Sequence, residues 1–286
     1  MSSKLFRPLA IAAAFTLAAV SLSQAQVYMV AHQDDWPLFM GHKAFEDIST
    51  NKQCVFIYTT AGEAGMKTGG WGSIPYFRAR EEAAMHGLRL PSNLIEQWFP
   101  ADVTSRIRIN NRNITVMTHR NTTSYFIRLQ DGKVSGEGYD DNRNQSLKRL
   151  RLGLVSPLTA IDNSASYARW SDMVNTIKAI LARHGTGATI NTHDFNEVFN
   201  PDDHSDHFET GRLARDAAIG TASRMRYWLG YESASHEPNL NTEQIQEKYG
   251  VYGAHIATMS RYGYNIGWDY GHRAYLTRGI FRESTP

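Results

Sequence analysis

Val27-Tyr28-Met29-Val30 is a short apolar run that stops abruptly at a polar cluster, and it predicts a first strand. Pro37 suits the first turn of a helix, and Leu38, Phe39, Ala44, Phe45 and Ile48 follow at helical spacing. Gln53 to Thr60 reads as a buried strand and Gly62 to Gly72 as a glycine-rich loop. Pro75 then opens a helix that runs through Ala84, and Leu94 to Phe99 predicts a third strand. This alternation points to an α/β fold, Rossmann-like, with a mostly parallel sheet flanked by helices.

The middle of the chain is patterned differently. Arg106 to Leu129 carries β-rich runs, Ile114-Thr115-Val116-Met117 and Tyr125-Phe126-Ile127, split by polar turn residues. Asp131-Gly132 and the stretch from Gly136 to Asn144 read as turns and exposed loop. The expectation is a β-rich excursion with antiparallel strands rather than a second domain. Regular alternation then resumes. The pattern gives a helix from Ser166 to Arg183 closed by Gly185, a strand at Ala188 to Thr192 and a helix from His207 to Ala222. A strand at Met225 to Leu229 and a helix from Glu243 to Thr258 follow. The tail, Tyr262 to Pro286, is rich in glycine and aromatics and gives no clear period.

The first 25 residues read as an address. Lys4 and Arg7 form a positive start, Leu9 to Leu22 is mostly apolar, and Ser23-Gln24-Ala25 offers small residues at cleavage spacing. A membrane-spanning helix needs ~20 apolar residues, so this run is short for an anchor. The expectation is a signal peptide over residues 1–25, a single catalytic domain over 26–286, and a secreted or periplasmic protein. No later stretch is apolar for long enough to cross a bilayer, so no stable membrane span is expected.

Composition narrows the function classes. The chain has 286 residues, 42% hydrophobic and 20% charged, which is ordinary for a globular protein. Its 30 basic and 28 acidic side chains nearly cancel, so no broad positive field exists to hold a nucleic acid. The one cysteine, Cys54, excludes an internal disulfide framework and any multi-cysteine metal site. It lies in an apolar strand-like run, where a thiol is packed and inert.

Candidate chemistry gathers in two segments. Ala31-His32-Gln33-Asp34-Asp35 follows the first strand, and Asp202-Asp203-His204-Ser205-Asp206-His207 opens a late helix. Parallel α/β sheets collect their sites beyond the carboxyl ends of strands. His32 and Asp35 are spaced to share one cation, and His207 can complete a three-ligand set with a position left for water. Asp34 is then placed to accept a proton from that water. His204, as an imidazolium, can face the substrate oxygen, and Asp206 can hold a histidine in orientation. Taken singly, each segment also reads as a helix cap or an acidic first turn favoured by the helix dipole.

Other residues carry weaker signals. Glu63 and its neighbouring glycines can form a mobile lip, with Trp71 as a sugar-stacking face, or a plain surface loop. Arg78 can line a pocket or pair with Glu82 one turn on. His193 sits at a strand end beside the second segment, where it can line the pocket, although a structural role is the simpler reading. Lys148-Arg149-Leu150-Arg151 reads as a solvated helix face or an anion contact.

The two segments resemble the Ala-His-Pro-Asp-Asp-Glu and His-x-Asp-His motifs of the PIG-L/LmbE-like zinc-dependent de-N-acetylases. Thr60-Ala61-Gly62-Glu63-Ala64-Gly65 resembles that family's loop after the second strand. Arg78-Ala79-Arg80-Glu81 resembles its Arg-x-x-Glu, and Lys248 with His255 its late Lys…His pair. The resemblance implies hydrolysis of an N-acyl group, usually acetyl on an amino sugar, with one zinc ion per chain. It implies His32, Asp35 and His207 as zinc ligands, Asp34 as general base, and His204 as electrophilic or acid partner supported by Asp206. Arg78 would lie in the substrate pocket. Gln33 stands in place of the family's proline and Trp36 in place of its glutamate. Trp36 would bring an apolar face to the substrate beside Glu63, and with the aromatic-rich tail it keeps open an amidase acting on a non-sugar N-acyl compound. A non-catalytic glycan-binding protein and a metal-stabilised structural domain are the remaining alternatives.

Overall fold

A computed structural model describes residues 24–66, 71–96, 98–266 and 270–286. The expected leader therefore lies almost wholly outside the described residues, as does part of the glycine-rich loop. The strands are Gln26–Val30 (β1), Cys54–Thr60 (β2), Val103–Ile109 (β3), Arg112–His119 (β4) and Thr122–Leu129 (β5). Leu158–Thr159 (β6) and Ser166–Tyr167 (β7) form a small hairpin, and Ala188–His193 (β8), Ala222–Trp228 (β9) and Phe281–Ser284 (β10) complete the set. The helices are Gly41–Ser49 (α1), Tyr76–Ser92 (α2), Leu147–Arg151 (α3), Trp170–Ala182 (α4), Ser205–Ala218 (α5), Thr242–Arg261 (α6) and Tyr270–Leu276 (α7).

Eight strands make one sheet in the order β10-β9-β8-β1-β2-β5-β4-β3. The five central strands, β9 to β5, are parallel, while β10, β4 and β3 run antiparallel to their neighbours. The β-rich excursion thus extends the same sheet, and its last strand joins the parallel core against β2. Among the described residues no helix is long and apolar enough to cross a membrane.

Side-chain alternation along the strands divides the core in two. Val27, Met29, Val55 and Ile57 face α4 and α5, whereas Tyr28, Val30, Phe56 and Tyr58 face α1, α2 and α6. Both faces are covered, which is why β2 reads as a continuous apolar run. Burying one side chain of the size of Phe56 contributes about 1.5–3 kcal/mol.

Several boundaries differ from expectation. Leu94 and Ile95 are in turn and bend conformation and Glu96, Trp98 and Phe99 are irregular, so the strand expected at Leu94 to Phe99 is absent among the described residues. Instead α2 continues to Ser92, with Pro91 accommodated in its last turn. Ser166 and Tyr167 are strand, so the fourth helix starts at Trp170. The unassigned tail supplies α7 and the edge strand β10.

The chain leaves β1 toward β2 on one side, and β8 leads to β9 on the other. That reversal opens a crevice beyond the carboxyl ends of β1 and β8, the place where open α/β sheets hold ligands.

Candidate active site

The two sequence segments meet in this crevice. After β1 the backbone turns back on itself, and the His32 N–H donates to Asp35 Oδ2 at 2.6 Å. After β8 the chain returns at Asp203, and His204 caps α5 by accepting the Asp206 N–H on Nδ1 at 3.1 Å. His207 then lies on the buried first turn of that helix.

His32, Asp35 and His207 offer ligand atoms within 4.8 Å of one another. Asp35 Oδ1 is 3.6 Å from His32 Nδ1 and 3.1 Å from His207 Nε2. Ligands at ordinary zinc bond lengths are separated by about 3.3–3.4 Å along a tetrahedral edge, so this donor set fits one such cation. The ring nitrogens facing away have carboxylates behind them. Asp203 Oδ1 is 2.8 Å from His207 Nδ1, and Asp206 Oδ2 is 3.5 Å from His32 Nε2. The Asp203 contact holds the outer N–H of His207 and leaves its inner lone pair for a metal, whereas His32 Nε2 makes no hydrogen bond among the described residues and has Asp206 only nearby.

The electrostatics agree with that use. Burial disfavours charge on His207, yet Asp203 and Asp35 raise its pKa to about 10. His32 is also raised: burial opposes it, and Asp35 and Asp206 overcome the opposition. A pocket that draws protons onto two histidines is one where a divalent cation competes for the same lone pairs.

Asp34, next in sequence to Asp35, is paired with a buried guanidinium. Arg80 Nη2 donates to Asp34 Oδ1, and Arg80 Nε donates to Gln33 Oε1 at 3.1 Å. Burial alone would raise the pKa of Asp34, but Arg80, with His255 and His32, lowers it. Asp34 is therefore ionised near neutrality and able to accept a proton. Gln33, the residue at the family's proline position, anchors Arg80 and also donates to Thr60 O at 3.1 Å.

His204 differs from its expected state. Because Nδ1 accepts a backbone N–H, the ring is not an imidazolium, and its single proton sits on Nε2. Burial and the nearby His32 lower its pKa to about 3. Nε2 lies 3.8 Å from Asp131 Oδ1 and the ring stands edge-on to His32, with centroids 4.7 Å apart. A neutral N–H donor thus faces the crevice.

Three expected substrate contacts need correction. Trp36 has 0% exposure and packs edge-on against Phe56 at 5.3 Å, because a single turn of π-helix rotates it beneath the sheet. Glu63 is also fully buried and is no mobile lip: it accepts the Asp131 N–H at 3.0 Å and Asn142 Nδ2 at 2.8 Å. Arg78 is part-exposed and pairs with Glu81 at 2.8 Å, not with Glu82, and Glu81 is held in turn by Arg128. Asp206 lies 3.5 Å from His32 Nε2 and accepts the Gly132 N–H at 2.9 Å; the hydrogen-bond partner of His207 is Asp203.

Trp71 is open to solvent, with its ring 5.6 Å from Tyr264. Arg151 in the basic run is spent on Glu209, at 2.9 Å. Lys248 is buried and ties the end of α7 by donating to Tyr275 O at 2.8 Å. His255 is buried, and neither ring nitrogen has a hydrogen-bond partner among the described residues.

The sequence did not single out Arg80, Asp203 or Tyr231, and it left His193 as structural. His193 Nε2 lies 3.0 Å from Asp35 Oδ2, and its ring stacks on His207 with centroids 4.0 Å apart. Tyr231, in the turn after β9, is part-exposed; its ring lies 5.3 Å from that of His207. Burial, with Asp35 and Asp34 nearby, pushes its phenol well above the usual range, so it stays protonated. His193 at the end of β8 was the readable signal, since it sits at the same strand-end level as His32. Tyr231 had none.

The sequence profile of PIG-L, the GlcNAc-PI de-N-acetylase, matches residues 27–218. This chain belongs to the PIG-L family. Both halves of the ligand cluster fall inside the matched span of this PIG-L chain, whereas Tyr231 and α6 lie beyond it. Comparison with curated protein sequences finds no match. Solved structures similar to this PIG-L chain include the N,N'-diacetylchitobiose deacetylase from Pyrococcus horikoshii, at 13% identity and TM-score 0.48, covering 92% of this chain and 84% of that one. A deacetylase of the teicoplanin biosynthesis pathway is similar at 12% identity and TM-score 0.48, covering 82% and 84%. GalB, the 4-carboxy-2-hydroxymuconate hydratase from Pseudomonas putida, is similar at 10% identity and TM-score 0.45, covering 89% and 83%.

Proposed function

We propose that this chain is an exported, zinc-dependent hydrolase that removes the acetyl group from an N-acetylated amino sugar or sugar conjugate. Membership of the PIG-L family supports the de-N-acetylase class. The observation that carries the metal dependence is the convergence of His32, Asp35 and His207, with Asp206 and Asp203 behind the two rings. His₂Asp suits zinc, and when bound such a cation supplies an acidified water and polarises the amide carbonyl.

The chain's own residues divide the rest. Asp34, ionised and pinned by Arg80, accepts the proton of the attacking water. His204 donates its Nε2–H to the carbonyl oxygen as negative charge develops there. Neutral imidazole is too weak an acid to protonate the leaving amine, and its Nδ1 is engaged by the Asp206 N–H. The proton on Asp34 is therefore the one returned to the amine. The burial of Trp36 takes away one of the two features that favoured a non-sugar substrate, the aromatic-rich tail being the other.

The test pairs elemental analysis of the purified protein with amine-release assays on a panel of N-acetylated sugars. Asp34→Asn should retain the metal and lose turnover by ~10²–10⁴-fold. Normal hydrolysis by that variant overturns the role of Asp34, and a protein that gains no divalent cation overturns the metal site. Export rests on the pattern of residues 1–25, and N-terminal sequencing of protein recovered outside the cytoplasm should begin near Gln26.

A further inference from the structure

β3 closes one end of the sheet, and among the described residues no strand lies beyond it. It pairs with β4 along all of its 7 residues without a bulge, from Val103 opposite Thr118 to Ile109 opposite Arg112. The two-residue turn between them, Asn110-Asn111, has φ 46° and 64°, the geometry of a tight hairpin whose flanking residues exchange both hydrogen bonds. Alternation fixes the rest. Val103, Ser105 and Ile107 turn their backbone groups to β4, and Thr104, Arg106 and Arg108 turn theirs outward. Those outward groups are a template for another strand. Neither proline nor a bulge blunts this edge; it is guarded by Arg106 and Arg108, which are exposed and have no side-chain partner among the described residues. Beside the start of the strand an apolar surface is also open. Trp98, Phe99 and Val103 are 68%, 67% and 62% exposed, and Trp98 and Val103 line one hollow of about 490 Å³ with Ile95 and Pro100. A contiguous patch of this kind marks a contact surface.

We propose that β3 is the contact through which two copies of this chain pair, antiparallel about a two-fold axis at Ser105, so that their two sheets join into one. Self-pairing must set outward groups against outward groups, which leaves few registers, and charge chooses among them. An axis at Arg106 sets Arg106 against itself, and an axis at Ile107 sets Arg106 against Arg108. An axis at Thr104 brings Arg108 opposite Pro100, which has no N–H, and ends the ladder early. The axis at Ser105 sets Arg106 opposite Thr104, Arg108 opposite Asp102 and Val103 opposite Ile107 of the second copy. Asp102 accepts Arg89 Nε at 3.1 Å and lies 2.9 Å from His119 Nδ1. A carboxylate has about four acceptor sites, so it has room for Arg108 as well. The two arginines thus penalise the wrong registers and are accommodated in this one. The same register carries the Asn110-Asn111 turn of the second copy alongside Phe99 and Pro100, over the open apolar surface. β3 lies four strands from β1, so both crevices stay open to solvent, and the pairing is independent of the reaction assigned to them.

Light scattering on the eluting wild-type protein should give twice the chain mass at micromolar concentration. Arg106→Pro deletes one outward N–H while leaving the ladder to β4 intact, since an edge strand tolerates proline where its N–H faces solvent. Thr104→Arg sets like charges opposite each other. Each variant should weaken self-association at least tenfold, with thermal melting used to confirm that it folds; the second variant decides should the proline variant not fold. Cysteine substitutions then read the register. Ser105→Cys places two Cα atoms ~4.5 Å apart across the axis, within disulfide range, and should form a covalent dimer on mild oxidation. Thr104→Cys places its two copies ~7–8 Å apart on the diagonal and should not. Cys54 is buried and does not compete. A wild type that stays monomeric overturns the proposal, and so does a monomer that floats with phosphatidylglycerol vesicles, which would assign this surface to a membrane. A dimer that persists in a folded Arg106→Pro or Thr104→Arg protein, or covalent dimers from Thr104→Cys and not from Ser105→Cys, likewise overturn it.

Discussion

Asp203 Oδ1 lies 2.8 Å from His207 Nδ1, while the opposite nitrogen of the same ring lies 3.1 Å from Asp35 Oδ1. The ring is clamped between a buried carboxylate and the ligand position. Asp203 also accepts the His204 N–H at 2.8 Å, so one side chain sets both histidines of the second segment. Asp203→Asn keeps the shape but weakens the hold on the ring proton. The expected outcome is a loss of ~10–100-fold in metal affinity, with the fold unchanged by circular dichroism. Competition against a chelator measures it, and wild-type affinity in the variant would remove Asp203 from the site.

Arg80 is the positive charge that lowers the pKa of Asp34 against the opposing effect of burial. An opposite charge at contact typically lowers a carboxyl pKa by ~1–3 units. Removing it in Arg80→Met favours the protonated acid, so the pKa of Asp34 rises. Since Asp34 must be ionised to act as base, the acid limb of kcat/KM should move to higher pH by about one unit or more. Arg80→Lys keeps the charge but gives up the fork to Gln33, so its limb should fall between the two. A pH–rate profile with an unmoved acid limb in Arg80→Met would separate Asp34 from that limb.

The contrast between Arg78 and Arg80 shows how far the sequence could be read. The motif placed an arginine from this helix near the site, yet residues two apart on a helix point ~200° apart. Helix phase decides which of them reaches Asp34. Tyr76, Phe77, Ala79, Arg80, Glu81, Ala83 and Ala84 of α2 are all buried, so no single apolar stripe announces the phase. The candidate ligand set needed no such knowledge: His32 and Asp35 sit in a turn after the end of β1, and His207 lies on the first turn of α5. Those elements carry strong local patterns, as does the parallel core. Trp36 was misplaced because adjacency to Asp35 in sequence says nothing about the π-turn that rotates it inward. The edge strand β10 was unreadable for another reason: its four residues, Phe281 to Ser284, are shaped by pairing with β9 rather than by their own period.

Glu63 has a pKa raised to about 8, mainly by burial and next by the charge of Asp131. An unfolded glutamate titrates near 4.3, so between the two values the folded protein holds the extra proton. Stability from this group is complete below the unfolded value and is lost as pH rises through about 8. The loss is at most ~1.4 kcal/mol per pH unit for one proton. Glu63→Gln keeps an acceptor for the Asp131 N–H and Asn142 but cannot ionise. Melting temperature between pH 5 and 9 should therefore fall less in the variant than in wild type. Parallel curves would show that Glu63 is ionised in the folded protein throughout that range.

Tyr231 stands over His207 at the mouth of the crevice, and its backbone N–H donates to Asp203 Oδ1 at 3.3 Å. Its phenol remains protonated, so it can donate a hydrogen bond but cannot act as base. The ring also packs edge-on to Phe39 at 6.1 Å, which keeps it upright as a wall. Two substitutions separate the hydroxyl from the ring. Tyr231→Phe keeps the wall and should lower kcat by ~10-fold or more if the hydroxyl reaches the reacting oxygen, with KM little changed. Tyr231→Ala removes the wall as well and should also raise KM. Metal content should be unaltered in both, because neither touches the ligand atoms. Wild-type kcat and KM in Tyr231→Ala would show that substrate enters along another side of the crevice.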